Sequence, residues 1–332
     1  MIFTRINFSD CVCADFSLIP CLGQDRLARS KINYNAEQVS GKQQSNTTSV
    51  NTTELKNICG ILKYRQETGE RVKPMQFDNP EITSKIFYPR KAREPLDLPE
   101  RCDALHFSVS AFIQLGGFFF LNDRAFPTLL LFHGNGEIVH DYLQISREYM
   151  ACGVNFAVID YRGYGFSGGE SSFKYLFTDC FAAFDGIVKY LKERSYNGEI
   201  FVLGRSLGSI CAAELASKTP PGLQGVIFES GVGSTFLLMR DLFGLVGPDF
   251  SEEKMKPWSN DTRIAKFKKP VLIIHGTADR LVPVKHASII FDAVPHGVYK
   301  KKVLIDGAGH NDIQMWNDEY FPPLKEFIQK FK

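Results

Sequence analysis

Gly204-Arg205-Ser206-Leu207-Gly208 fits the pattern G-x-S-x-G, a serine flanked at two positions by glycine. The pattern alone is common by chance, but its surroundings are specific. An apolar run ends at Leu203, and a stretch of small residues (Ser209, Ala212, Ala213, Ala216) begins directly after it. A strand that becomes a helix within so few residues strains the serine backbone, and glycines leave room for the turn. Such a turn exposes the Ser206 hydroxyl and aims a helix amino terminus at it. A serine attacks a carbonyl carbon only if a base takes its proton, and the base needs a carboxylate to orient it. Both are present downstream. Asp279 lies in His275-Gly276-Thr277-Ala278-Asp279 after the apolar run 271–274, and His310 lies in Gly307-Ala308-Gly309-His310 after the run 302–305. Each follows its own late strand, so the two can converge on Ser206 from different loops. Glu229, after the run 226–228, is the alternative acid.

A tetrahedral oxyanion also needs donors. The backbone N–H of Leu207 is one. The second is expected from His133-Gly134-Asn135-Gly136-Glu137, which follows the run 129–132. Asn135 is the choice there, through its backbone N–H, although an Asn at this point also suits a left-handed turn. Glu137 would oppose the developing charge, so it is expected to cap the next helix or to engage Arg162 or Arg205. His133 and His275 are expected to hydrogen-bond loop backbone. Asp306 is expected to cap a turn or pair with a cation, and Asp312 to face solvent or assist His310. Arg162 is expected to tie loops together through carboxylates. This chemistry calls for no metal or organic cofactor.

The elements that must position these residues are legible as apolar runs of four to six residues separated by helical patterns. The runs 128–132, 155–159, 199–203, 226–228, 271–274 and 302–305 suit strands buried on both faces. Helical patterns occupy 142–150, 175–194, 209–217 and 286–294. Strands are also expected over 82–88 and 105–115, the latter pairing with 117–121 in a hairpin around Gly116. Every chemical motif falls at the carboxyl end of a run, the edge on which α/β sheets build their sites.

Together with Asp160-Tyr161-Arg162-Gly163-Tyr164-Gly165-Phe166-Ser167-Gly168-Gly169, these motifs resemble the α/β-hydrolase superfamily, and within it the group labelled serine aminopeptidase S33-like. The resemblance covers about residues 80–332. It implies an α/β fold, with an eight-stranded, mostly parallel sheet flanked by helices and a short lid at about residues 231–269. It implies a triad of Ser206, Asp279 and His310, with Leu207 and Asn135 at the oxyanion. The implied activity is hydrolysis of a carboxylic ester or thioester through an acyl-enzyme on Ser206. The short lid suggests an accessible site and so an acyl group presented on a larger molecule, a lipid-linked one included. An aminopeptidase-type peptidase and a non-catalytic binding protein on the same fold are the alternatives. The apolar run Phe236-Leu237-Leu238-Met239, continued by Leu242-Phe243 and Leu245-Val246, is expected to pack into the core or to wall an acyl site.

Composition narrows the rest. The 39 basic and 37 acidic residues leave a net charge of +2, too little to draw nucleic acid as a partner. Hydrophobic residues at 44% exclude a wholly disordered chain of 332 residues. The motif spacing favours one catalytic domain over residues 80–332, preceded by a polar, unpatterned leader over 1–75. The eight cysteines include no Cys-x-x-Cys pair, and no His stands at ligand spacing from one, so zinc is not expected. No continuous apolar segment opens the chain, and the expected location is cytoplasmic. The sequons at Asn46, Asn51 and Asn260 carry little meaning in that setting. The alternative location is peripheral to a membrane, through S-acylation of Cys11, Cys13 and Cys21. Some depalmitoylating hydrolases that resemble this domain carry such a leader.

Overall fold

Five runs of buried apolar residues form the middle of one sheet. In the computed structural model, which describes residues 78–332, they are β3 (Thr128–Phe132), β4 (Asn155–Ile159), β5 (Ile200–Arg205), β6 (Leu223–Glu229) and β7 (Val271–Gly276). With β1 (Cys102–Ser108), β2 (Gln114–Phe120) and β8 (Lys300–Ile305) they make an eight-stranded sheet in the order β1-β2-β4-β3-β5-β6-β7-β8. Only β2 runs against its neighbours; β3 through β8 pair in parallel. This is the expected mostly parallel α/β architecture. The readings of residues 1–75, of Cys11, Cys13 and Cys21, and of the sequons at Asn46 and Asn51 lie outside the described residues.

The two-residue period of the strands divides the core. Leu130, Phe132, Ala157, Ile159, Val202, Val226, Phe228 and Ile273 face one side, against α3 (Phe173–Glu193), α4 (Ser209–Lys218) and α8 (Lys285–Ala293). Their neighbours Leu129, Leu131, Phe156, Val158, Phe201, Leu203, Ile227 and Leu272 face the other side. There they meet α2 (Tyr142–Met150) and α9 (Asn317–Phe331). Runs without polar alternation are thus explained for the central strands, both of whose faces are covered. The run 302–305 does not share this: β8 is an edge strand, only Ile305 in it is buried, and Leu304 is exposed.

Two expectations and one omission need correction. Residues 82–88 are not a strand: Pro80–Ile86 is a helix, α1, whose cap Asn79 accepts the Ile82 N–H at 3.0 Å while Pro80 opens the first turn. The hairpin does not turn at Gly116. It turns between Ser108 and Gln114, with the Val109 N–H on the Ile113 carbonyl, and Gly116 lies inside β2 opposite His106. Gly116 is needed for packing, since a Cβ there would come within 2.3 Å of the Phe166 ring. The sequence reading also passed over α9, whose Pro322 and Pro323 argue against a helix. Its face of Tyr320, Leu324, Phe327 and Ile328, spaced as one helical stripe, is buried and outweighs the lost backbone bonds.

The segment expected as a lid contains α5 (Thr235–Phe243), α6 (Glu252–Met255) and α7 (Asn260–Ile264) joined by short turns. Leu238 and Met239 are buried, Leu238 against Val232 and Val282, whereas Leu242 and Val246 are exposed. The inner half of the apolar run is therefore core. Asn260, formally a glycosylation site, is fully buried with its amide donating to Ser209 Oγ and the Val232 carbonyl.

Candidate active site

Ser206 stands where β5 passes into α4 through a single tight turn, with φ at +50°. That is strained backbone for a residue with a side chain. The flanking glycines make it feasible. A Cβ on Gly204 would lie 2.5 Å from the Gly208 carbonyl oxygen, and one on Gly208 would lie 1.9 Å from that of Phe132. Ser209 Oγ donates to the Ser206 carbonyl at 2.6 Å and pins the turn.

Asp279 and His310 arrive as the sequence order suggests. His310 Nδ1 lies 2.6 Å from Asp279 Oδ2, and its Nε2 lies 2.9 Å from Ser206 Oγ. With the Nδ1–H donating to the carboxylate, Nε2 is left to accept the serine proton. The other carboxylate oxygen of Asp279 accepts the N–H groups of Leu281 and Val282 at 2.9 and 2.8 Å. Burial resists ionisation of Asp279, but donation from His275 and His310 and from the Val282 N–H outweighs it. The carboxyl is held well below the usual carboxylate range. The turn carrying His310 is fixed on both sides: Gly309 N–H donates to Asp312 Oδ1 at 2.6 Å, and Gly307 N–H to Thr277 Oγ1 at 2.9 Å. Asp312 is thus neither merely solvated nor in contact with the imidazole, and Asp306 accepts the Thr277 hydroxyl.

Among the oxyanion candidates, Leu207 follows Ser206 at the start of the turn into α4. The Asn135 backbone N–H finds no acceptor among the described residues. Its side chain is committed elsewhere: Oδ1 accepts from the Tyr88 N–H and the Tyr164 hydroxyl, and Nδ2 donates to the Ile86 carbonyl. The left-handed position in this loop belongs to Gly136, at φ +81°, and not to Asn135. The side-chain role of Asn135, which anchors the loop to the end of α1, was invisible in the sequence because its partners lie 29 to 49 residues away.

Glu137 engages Arg205, one of the two expected arginines. Arg205 Nε donates to Glu137 Oε1 at 2.6 Å, while Oε2 accepts the Gly134 N–H and the Tyr142 hydroxyl. Burial works against the charge of Glu137, but Arg205 and those donors override it and bring its pKa down to about 2. Glu229, the alternative acid, does not reach His310. It is fully buried and accepts from Arg205, Gln314 and Tyr320. His133 binds the Gly134 carbonyl and Asp160, and His275 the Val282 carbonyl, both as loop braces. Arg162 forms a two-pronged bond to Asp179 at 2.5 and 2.9 Å and lies over the Tyr175 ring. Among the described residues no group of three His, Cys, Asp or Glu side chains is placed to hold a metal.

A family model described as serine aminopeptidase, S33, matches residues 123–242, a span that holds the Asn135 loop and Ser206 but ends before Asp279 and His310. Alpha/beta hydrolase domain-containing protein 17B of Homo sapiens is 31% identical over 208 residues, covering 61% of this chain and 66% of its own length. The Xenopus laevis protein of the same name is 32% identical over 206 residues, with 60% and 66% covered. The chain spans just under two thirds of the length of these relatives. Among solved structures, the Pyrococcus furiosus esterase Pf2001 superposes with a TM-score of 0.58 at 20% identity, covering 73% of this chain and 98% of that one. Est1E from Butyrivibrio proteoclasticus, with ferulic acid bound, gives 0.55 at 19% identity, with 69% and 99% covered. These last two carry the fold. With its strand order and its serine turn between β5 and α4 the chain has the α/β-hydrolase fold, and its sequence is similar to proteins named for that domain.

Proposed function

We propose that the protein is a serine hydrolase that cleaves a carboxylic ester or thioester through an acyl-enzyme on Ser206. The observation that carries this reading is the unbroken relay from Ser206 Oγ to His310 Nε2 at 2.9 Å and from Nδ1 to Asp279 at 2.6 Å. In this reading Ser206 Oγ attacks the carbonyl carbon as His310 takes its proton. The N–H groups of Leu207 and Asn135 hold the oxyanion. His310 then returns the proton to the leaving alcohol or thiol, and water resolves the acyl-enzyme through the same imidazole. Asp279 keeps the imidazole in the required tautomer and stays ionised throughout.

An ester or thioester fits better than a peptide amino terminus. An aminopeptidase must offer a carboxylate to the substrate ammonium, and beside the triad's Asp279 the site's carboxylates Glu137 and Glu229 are both taken by Arg205. The short lid suits an acyl group presented on a larger molecule. The setting we propose is cytoplasmic; the alternative is a membrane-peripheral one through acylation of Cys11, Cys13 and Cys21. Replacing all three with Ser should release the protein from membranes if that tether operates. Labelling with a fluorophosphonate probe tests the activity itself: the wild type should label and Ser206→Ala should not. Folded wild-type protein that stays unlabelled would instead support a non-catalytic binding protein. Faster turnover of aminoacyl amides than of matched esters would favour the peptidase.

A further inference from the structure

Arg205 precedes the nucleophile in sequence and touches neither reacting atom, yet it binds three parts of the site at once. Its Nε meets Glu137 at 2.6 Å; its Nη1 meets Glu229 at 2.8 Å and the His310 backbone carbonyl at 3.2 Å. Glu137 passes the grip on to the Gly134 N–H, the peptide beside Asn135. One guanidinium therefore ties the nucleophile strand to the Asn135 loop and to the histidine loop. The charges do not balance. Glu229 accepts from Arg205, Gln314 and Tyr320, and Glu137 from Arg205, Tyr142 and Gly134, donor sets that match ionised carboxylates. Among the described residues no second cation pairs with either. Two anions and one cation leave a surplus negative charge around a buried Arg205 and a fully buried Glu229, with Glu137 partly buried beside them.

We propose that Arg205, held between Glu137 and Glu229, is a positioning residue for the triad, and that the surplus negative charge of this cluster favours the imidazolium that forms on His310 when Ser206 gives up its proton. The inference rests on the serine-hydrolase reading. The groups that face His310 from the elements around it are Ser206 at Nε2, Asp279 at Nδ1 with His275 behind it, and Arg205 at the carbonyl with Glu229 and Glu137 behind it. On its own loop stand Asp312, bonded to Gly309, and Asp306, bonded to Thr277. Of these, only the Arg205 cluster joins the histidine loop to the Asn135 loop.

The test is a titration of the His310 ring by NMR in the full chain, its signal assigned among the 7 histidines by its loss in His310→Gln. Fluorophosphonate labelling rates are measured beside it, and melting curves confirm the folded fraction. Glu229→Gln keeps the side-chain shape and removes the surplus charge. It should lower the His310 pKa by about half to one unit and slow labelling roughly tenfold. Arg205→Lys keeps the charge sum and loses the fork, so the His310 titration should stay in place while labelling slows roughly tenfold or more. A merely structural role would lower the melting temperature and leave the titration unmoved. If Glu229→Gln does not fold, Glu137→Gln makes the same change of charge. A His310 titration that coincides in wild type and charge variant overturns the electrostatic half, and wild-type labelling by Arg205→Lys overturns the positioning half. A wild type that labels at no rate at all contradicts the hydrolase reading instead, and the NMR arm still decides the charge effect.

Discussion

In the proposed mechanism Ser206 and His310 act as a unit, and their removal should show it. Ser206→Ala should cut ester turnover by about 10³–10⁶ with the fold retained, and His310→Ala should cost a similar factor. The double variant should be little worse than either single one. Additive losses in ester kinetics would mean the two side chains do not share a step. Glu137 gives a prediction in pH. Its folded pKa of about 2 lies below the usual value of 4.5. Its ionised form therefore adds stability that is fully present above about pH 4.5 and is lost as pH falls through the folded value near 2. At 1.36 kcal/mol per unit the difference amounts to about 3 kcal/mol. Thermal melts of wild type and Glu137→Gln should be furthest apart at neutral pH and approach each other between pH 4.5 and 2. A constant gap across that range would show that Glu137 is not held ionised by Arg205.

At the scale of elements, the serine turn depends on two absent side chains. Gly208→Ala would drive a Cβ into the Phe132 carbonyl, which cannot yield without moving β3, so we expect loss of soluble protein or destabilisation by about 3 kcal/mol. The lid base is held by an imidazole: His286 Nδ1 accepts the N–H groups of Gly233 and Ser234 at 3.0 and 3.3 Å. Burial, aided by Lys285 and His275, pushes its pKa down to about 4 from 6.5. The neutral ring therefore contributes stability that is complete above about pH 6.5 and falls away as pH drops toward 4. His286→Leu should melt lower than wild type at pH 7 and show a flatter pH dependence over that window. The six later strands and four of the helices were readable from apolar runs and helical spacing, because burial on both faces removes polar residues from the five central strands, while the edge strand β8 showed only the short run at its end. The first elements were not. In residues 82–88 the short apolar content reads as a strand, although Ile82 and Ile86 stand at helical spacing and Asn79-Pro80 is a helix-start signal in the sequence itself. Glycines that serve packing, such as Gly116 under Phe166, look the same in sequence as glycines that turn the chain.

For the molecule as a whole, the chemistry converges because parallel strands deliver their following loops to one edge. Ser206 follows β5, Asp279 follows β7 and His310 follows β8, while Asn135 follows β3. That convergence was legible in the order of motifs. The buried network behind it, in which Gln314 and Tyr320 from the chain's last turns satisfy a carboxylate on β6, was not, since such pairs leave no spacing signature. The most direct test is to mix the protein with a p-nitrophenyl acyl ester, quench with acid during turnover, and weigh the peptide that contains Ser206. Our account predicts that this peptide gains the mass of the acyl group in wild type, and that Ser206→Ala shows neither the adduct nor the turnover. Full turnover in Ser206→Ala, or an acyl group found on another residue, would contradict it.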